Sequence, residues 1–159
     1  STEERLMLES EEAVALNDFV IKGSMTSRTS KFYLEINEKF VCDYIADGLI
    51  IATPTGSTAY GLSAGGPVLY PTLDALVIVP ICPHTLNARP LVVPIDETIK
   101  VKTSDKLLSV AVDGYDTTEN VKEILIKTSS KKAVLAFLND DGFYSVLRNK
   151  LHWGVSPIN

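Results

Sequence analysis

Over much of the chain, apolar and polar residues alternate with the period of two that is typical of half-buried strands. In Lys31–Asn37, the side chains of Phe32, Leu34 and Ile36 would face one way and those of the residues between them the other. Asn37-Glu38 has the character of a hairpin tip and is followed by another partly apolar segment. This part of the sequence therefore predicts two strands joined by a tight turn.

The same approach predicts most of the remaining chain as strands. Gly48–Ala52 and Leu76–Val79 are apolar throughout, as expected of strands buried on both faces. Helices are predicted only at Thr58–Ala64 and Phe143–Lys150. Roughly ten short strands predict a mainly β, sandwich-like fold with short helices. The other predicted strands are bounded by turn residues and comprise Arg5–Glu9, Ala13–Lys22, Phe40–Ile45, Thr98–Lys102, Leu107–Val112, Glu123–Lys127 and Lys132–Leu138.

The segment from Pro67 to Pro94 is rich in proline and contains six of the eight prolines in the chain. Proline cannot donate a backbone hydrogen bond to a sheet, so part of this segment is predicted to be loop or edge strand. Such a segment either closes one end of the sandwich or carries binding residues, since binding residues concentrate in loops. The pattern leaves both interpretations open.

Composition and charge narrow the function classes. The 159 residues are 45% hydrophobic and 22% charged, which predicts one globular domain spanning residues 1–159. A net charge of -5 argues against a nucleic-acid partner, and no apolar run approaches the ~18 residues of a membrane span. Cys42 and Cys82, with two histidines in the chain, suit neither a disulfide framework nor a metal site. A cytoplasmic location is therefore expected.

The strongest chemical signal is the run Asp47–Pro67, DGLIIATPTGSTAYGLSAGGP. A buried strand leads into a turn with four hydroxyl side chains, and a short helix is predicted to follow. Backbone N–H groups at a helix start, with nearby hydroxyls, can bind ribose or phosphate oxygens. Tyr60 is placed to stack on a flat base. The simpler interpretation is an ordinary helix cap, in which Thr55 or Ser57 satisfies backbone donors.

The run TPTGSTAY at residues 53–60, followed by SAGGP at residues 63–67, resembles the signature of NAD kinases. The resemblance covers nearly the whole chain. It implies transfer of the γ-phosphoryl group of ATP, or of another phosphate donor, to the 2′-hydroxyl of the adenosine ribose of NAD, giving NADP. Further segments follow the family order: ALND at 15–18, Ser27-Arg28, Asp47-Gly48, PICPH at 80–84, RPLV at 89–92, VDG at 112–114 and Leu147–Trp153.

One departure from the family pattern concerns catalysis. NAD kinases carry a Gly-Gly-Asp-Gly motif on an N-terminal α/β lobe, and its aspartate is regarded as the catalytic base. The 159 residues contain no such motif. The resemblance therefore implies that the chain is the C-terminal, NAD-binding domain of the two-lobe fold, without a catalytic residue or metal site of its own. By itself the chain is expected to be inactive.

The resemblance also assigns binding roles to particular residues. Asn17 and Asp18 would contact the dinucleotide, and Arg28 would approach its phosphate oxygens. Asp47 would reach the far half of the cofactor across a subunit contact, while Ile45 and Tyr115 would line the pocket. Each assignment has a structural alternative, such as a turn pair for Asn17-Asp18 or a solvated side chain for Arg28. Thr55 is a further expected binding residue. The stretch that wraps the adenosine would comprise Thr58, Ala59, Tyr60, Gly61, Leu62 and Ser63.

The implied partners are NAD, ATP with Mg²⁺ or another divalent cation, and further copies of the chain in a dimer or tetramer. Two alternatives stay open. In place of an NAD kinase domain, the chain would be a non-catalytic module for nucleotide binding or oligomerisation, or a domain of a lipid kinase of the diacylglycerol or sphingosine type. Lipid kinases share the general two-lobe architecture, but recognition of their substrates would not require the run TGSTAY.

Overall fold

The computed structural model describes residues 1–24, 29–103, 107–139 and 141–154, with the backbone alone for residues 116–120. Within these ranges the chain forms twelve strands, a 3₁₀ turn at Thr55–Thr58 and two helices, α1 (Tyr60–Ser63) and α2 (Gly142–Leu151). The strands are β1 (Thr2–Glu9), β2 (Val14–Ala15), β3 (Asp18–Gly23), β4 (Ser30–Ile36), β5 (Lys39–Ala46), β6 (Gly48–Ala52), β7 (Ala75–Ile81), β8 (Leu91–Pro94), β9 (Ile99–Thr103), β10 (Leu108–Val112), β11 (Tyr115–Val121) and β12 (Glu123–Ala136).

The described strands make two antiparallel six-stranded sheets. Sheet I has the order β2-β1-β12-β9-β4-β5, and sheet II the order β11-β10-β3-β6-β7-β8. One face of each sheet contributes to a shared apolar core, where Phe32 and Leu34 of sheet I and Phe19 and Ile21 of sheet II are fully buried. The predicted mainly β, sandwich-like fold with short helices is confirmed.

The centre of sheet II is buried on both faces. Every residue of β6 and β7 is buried, as their unbroken apolar sequences predicted. On the outer face of the sheet, Ile50, Ala52, Val77 and Val79 form a second apolar cluster with Leu69. The segment that holds the 3₁₀ turn and α1 lies over this cluster and leaves the β3 and β10 side of the same face open. That open strip is where the candidate site lies.

The predicted hairpin tip at Asn37-Glu38 joins β4 to β5. Both residues have positive φ, 51° and 65°, the backbone that a two-residue type I′ turn requires. The tip is tied to the residue before β9, because Thr98 N donates to Asn37 Oδ1 over 2.9 Å and Asn37 N donates to Thr98 O over 2.9 Å.

Three predicted elements differ in their bounds. The segment Ala13–Lys22 is two strands, since the backbone turns away between Ala15 and Asp18 to bond other parts of the chain. The predicted helix Thr58–Ala64 is a 3₁₀ turn followed by a single α-helical turn. The two predicted strands of residues 123–138 are one strand, β12, with an irregularity opposite Met7 that resembled a turn in the sequence.

The proline-rich segment contains both loops and strands. Pro80 lies within β7, where Asp47 N donates to Ile81 O over 2.9 Å, so Ile81 faces β6 and the Pro80 nitrogen faces the other side. On that side the pairing of β7 with β8 stops at Ile78. Proline has no N–H to donate, and in the described part of the chain no β8 residue is paired with Pro80. The predicted C-terminal helix is confirmed as α2, which contacts this segment through Phe143 and Tyr70, with ring centroids 5.1 Å apart.

Candidate functional site

A cavity of about 380 Å³ lies on the outer face of sheet II, beside α1. Its floor is formed by β3 and β10, because alternate residues of these strands face outward while Phe19, Ile21 and their counterparts enter the core. Ala59 and Tyr60 form a wall, and Asn17 and Gly114 lie at one end. The floor consists of three neighbouring pairs, Asp18 with Asp113, Val20 with Ala111, and Lys22 with Ser109.

Asp113 holds the start of β3 in place. Its Oδ2 accepts a hydrogen bond from Leu16 N over 2.8 Å, and its Oδ1 accepts from Asn17 N over 2.7 Å and from Asp18 N over 3.2 Å. The Asp113 N–H in turn donates to Asp18 O over 3.1 Å. Three backbone donors thus share one carboxylate, which fixes where the Asn17 and Asp18 side chains enter the cavity. No binding role was assigned to Asp113 from the sequence, although the segment VDG was recognised.

Thr53 joins the start of β3 to the loop after β6. Its hydroxyl donates to Leu16 O over 2.6 Å and accepts from Gly56 N over 3.0 Å, while Thr53 N donates to Asn17 O over 2.9 Å. Gly56 lies so close that a Cβ there would sit 1.9 Å from Asn17 O. The loop and the residue before β3 are therefore packed at a distance that only glycine allows.

The hydroxyl groups of this loop all have protein partners. Thr55 Oγ1 accepts from Arg5 Nη1 over 3.1 Å, and Thr58 Oγ1 donates to Thr55 O over 3.3 Å. Ser57 Oγ donates to Pro54 O over 2.6 Å and accepts from Leu69 N over 2.9 Å. Structural roles thus account for the dense hydroxyl pattern. A ligand contact by Thr55 or Thr58 stays a prediction.

Asp18 is a carboxyl group with an unusual environment. It is only 4% exposed. Burial, with a further contribution from the negative charge of Asp113, raises the pKa of Asp18 to about 6. A carboxyl group with this pKa exchanges its proton near neutral pH and can either donate or accept a hydrogen bond there. It is therefore chemically suited to contact ribose hydroxyls.

Four of the predicted contact residues meet in the cavity: Asn17, Asp18, Ala59 and Tyr60. Tyr60 is 42% exposed, so its ring is accessible from the cavity. The remaining residues of α1 lie beside the cavity. Gly61 is buried, Leu62 is half-buried and Ser63 is exposed. Their contact with a ligand stays a prediction.

Asp47 and Ile45 lie at the opposite end of β6 from the Thr53 loop. Thr29 Oγ1 donates to Asp47 Oδ1 over 3.4 Å and lies 3.3 Å from His84 Nε2, while His84 N donates to Ile45 O over 2.8 Å. The structure does not bring these residues to the cavity lining. Tyr115, next to Gly114, is 77% exposed. Arg28 lies outside the described residues.

The cavity residues to which the sequence assigned no binding role are Val20, Lys22, Ser109, Ala111, Asp113 and Gly114. Period-two alternation from Asp18 would have placed Val20 and Lys22 on its face of β3. The described ranges hold no group of three or more His, Cys, Asp or Glu side chains arranged for a metal ion. Nor does any helix in them have the length and apolar character needed to cross a membrane.

The sequence and the fold are both similar to those of known proteins. Residues 16–138 match the family described as the ATP-NAD kinase C-terminal domain. The NAD kinase of Ectopseudomonas mendocina (strain ymp) is 43% identical over 167 residues, covering 96% of this chain and 57% of that protein. The chain therefore spans little more than half the length of this relative.

Two solved structures have the same fold. Yeast NADH kinase complexed with NADH is similar with a TM-score of 0.82 and 27% identity, covering 97% of this chain and 51% of that one. An NAD kinase from Archaeoglobus fulgidus in complex with ATP is similar with a TM-score of 0.83 and 29% identity, covering 92% of this chain and 59% of that one.

Proposed function

The chain belongs to the ATP-NAD kinase family, whose C-terminal domain it contains at residues 16–138, and we propose that it is the NAD-binding part of an NAD kinase. The proposed reaction moves a phosphoryl group from ATP to the 2′-hydroxyl of the adenosine ribose of NAD. The observation that carries this proposal is the cavity in which Tyr60, Asn17 and Asp18 meet.

The chemistry of the cavity supports binding of an adenosine group. The accessible ring of Tyr60 provides a surface on which a base can stack. The Asn17 amide and the Asp18 carboxyl group can hydrogen-bond ribose hydroxyls. At about 380 Å³ the cavity is at the small end of ligand pockets, which measure about 300–1,000 Å³. It suits a nucleoside with adjoining phosphate, so the rest of NAD would extend beyond it, and Asp47 is our candidate for that contact.

The general base of the reaction is proposed to lie outside this chain. A ribose hydroxyl is a weak nucleophile at neutral pH and needs a positioned group to accept its proton. Asp113 is unsuited because its carboxylate already accepts three backbone hydrogen bonds. We assign the proton acceptor to a Gly-Gly-Asp-Gly segment, which the 159 residues do not contain.

The divalent cation is proposed to arrive with ATP, where it would neutralise phosphate charge. The described residues offer no cluster of acidic or imidazole ligands to hold it alone. We also propose a cytoplasmic homo-oligomer in which Asp47 approaches the site of a neighbouring subunit. The supporting observation is that Ile45, beside the Asp47 end of β6, is a 41% exposed apolar residue.

Calorimetric titration of the chain with NAD tests the proposal. Tyr60→Ala should weaken NAD binding by about 1–3 kcal/mol, the usual effect of losing one base–aromatic stack, and Tyr60→Phe by much less. Tyr144→Ala, which removes an exposed tyrosine from α2, is the matched control and should leave the affinity unchanged.

Equal losses from Tyr60→Ala and Tyr60→Phe would show that the hydroxyl group, and not stacking, makes the contact. Failure of the unmodified chain to bind NAD would overturn the proposed function. Incubation with NAD, ATP and Mg²⁺ should give no NADP from the chain alone, and turnover there would overturn the placement of the base.

A further inference from the structure

The two ends of the cavity floor differ in charge. The carboxyl groups of Asp18 and Asp113 lie at one end, and Lys22 lies at the other. Among the described residues that line the cavity, Lys22 is the one cation, and it has no ion-pair partner in the described part of the chain. Lys22 is exposed, so its ammonium group is accessible to a ligand in the cavity.

The register of sheet II places a hydroxyl group beside this lysine. Lys22 of β3 is directly opposite Ser109 of β10, and both line the cavity. Directly opposed side chains in an antiparallel pair have Cβ atoms about 4.5–5.5 Å apart. An ammonium group and a hydroxyl group at this spacing can donate to the oxygens of one phosphate group.

The distance along the strand matches a nucleotide. Asp18 and Lys22 are four residues apart on one face of β3, which is about 13 Å at roughly 3.3 Å per residue. Val20 and Ala111 form an apolar floor between them. The flexible stem of Lys22 shortens the gap further, so a ligand whose ribose lies near Asp18 can present its phosphates to Lys22.

Lys22 also lies close to the Asp47 end of β6. A Cβ built at Gly48 would lie 3.2 Å from Lys22 Cγ, so the lysine stem passes over the first residue of that strand. Asp47 is the preceding residue. The Lys22 end of the cavity therefore lies nearest to the residue proposed to contact the far half of NAD.

We propose that Lys22, assisted by Ser109, binds the diphosphate group of the dinucleotide. This inference rests on the proposed function, because it assumes that NAD occupies the cavity with its ribose at the Asp18 end. It adds a residue that senses the charge of the ligand, whereas Tyr60 and Asn17 would contact the uncharged adenosine.

The test compares two ligands that differ in phosphate. The affinities of NAD and adenosine for the chain are measured by calorimetry at low and at moderate salt. Lys22→Gln should weaken NAD binding by about 5- to 20-fold and reduce its salt dependence, while adenosine binding changes less than about twofold. Lys22→Arg should retain most of the NAD affinity. Lys131→Gln, at an exposed lysine of β12, is the matched control.

The possible outcomes distinguish failure of the phosphate contact from failure of the proposed function. If Lys22→Gln leaves NAD affinity unchanged, or weakens NAD and adenosine equally, the phosphate contact is overturned while the proposed function stands. If the unmodified chain binds neither ligand, the proposed function fails and the inference fails with it. Selective loss of NAD affinity, restored by arginine, supports the inference.

Discussion

Strand β6 has a polar cluster at each end, and the two clusters are built differently. The Thr53 cluster, consisting of Leu16, Asn17, Thr53, Gly56 and Asp113, is held by bonds of 2.6–3.2 Å among backbone and side-chain groups.

The Asp47 cluster, consisting of Thr29, Asp47 and His84, has side-chain contacts of 3.3 and 3.4 Å. Thr53 is fully buried, whereas His84 is exposed and Asp47 half-buried.

The difference indicates that the Thr53 cluster positions other residues, whereas the Asp47 cluster is suited to contact a ligand or another subunit. The Thr53 cluster satisfies its own hydrogen bonds, so it contributes to stability and fixes the end of the cavity where Asn17 lies. Groups in the Asp47 cluster retain donors and acceptors that weak internal contacts do not fully use. Such groups can bind a ligand or another subunit with little loss of internal bonding. Substitutions in the first cluster should therefore alter stability, and those in the second mainly binding.

The largest effect is expected for Asp113→Asn. Asparagine tolerates the positive φ of 50° at this position, but its amide presents only one acceptor oxygen to three N–H groups. The substitution removes a charged acceptor and places the side-chain NH₂ group against a backbone N–H that loses its acceptor. The free energy of unfolding should therefore fall by about 3 kcal/mol. Urea denaturation measures it, with Asp96→Asn, at an exposed aspartate, as the control.

A change below about 1 kcal/mol for Asp113→Asn would show that water or backbone movement replaces the carboxylate. The cluster would then not be the rigid element that its short bonds indicate.

Asp18→Asn should act in the opposite direction. The pKa of Asp18 in the folded chain, about 6, lies above the ordinary value of 3.8, so the folded chain binds more protons than the unfolded chain between these pH values. The free energy of unfolding therefore falls as pH rises from about 4 to 7, by at most about 3 kcal/mol. Asp18→Asn should remove this fall, raise stability at pH 7 and weaken NAD binding.

The measurement is urea denaturation at several pH values between 4 and 8. Asp74→Asn, at an exposed aspartate, should leave the pH dependence of the unmodified chain in place. An unchanged slope in Asp18→Asn would assign the pH dependence to another group.

The smallest effect on stability is expected for Asp47→Asn. Its long contact to Thr29 contributes little, so the free energy of unfolding should change by less than about 0.5 kcal/mol. Asp47→Asn should nevertheless weaken NAD binding where a full kinase assembles. Denaturation and calorimetry on the same preparations test both parts. A stability loss as large as that of Asp113→Asn would end the distinction between the clusters.

Local sequence predicted the fold well where the pattern of apolar residues along the chain matches the pattern of burial. The apolar runs of β6 and β7, the hairpin at Asn37-Glu38 and helix α2 were all confirmed. The polar strand β11, with the sequence YDTTENV, was missed because it is an edge strand that pairs with β10 through its backbone. The irregularity in β12 resembled a turn because it falls on polar residues, although pairing with β1 is present on both sides of it.

The site was less accessible to sequence reasoning because its contacts are distant along the chain. Asp113 bonds residues that precede it by more than ninety positions, and no local pattern reveals such a contact. The hydroxyl-rich loop was noticed for its chemistry, but its hydroxyls turn out to bond protein groups. Period-two alternation could have placed Lys22 on the same face of β3 as Asp18. Only the position of α1, however, shows that this face of the sheet is open.

The contact between Gly56 and Asn17 also bears on the kinetics of binding. Close packing and hydrogen bonds hold the loop against Asn17 before any ligand arrives. This end of the cavity is therefore preformed, and little conformational entropy is lost there on binding. Association then requires no rearrangement of this end of the cavity. Variants that remove a ligand contact should bind at nearly the same rate as the unmodified chain and differ in how quickly the nucleotide leaves.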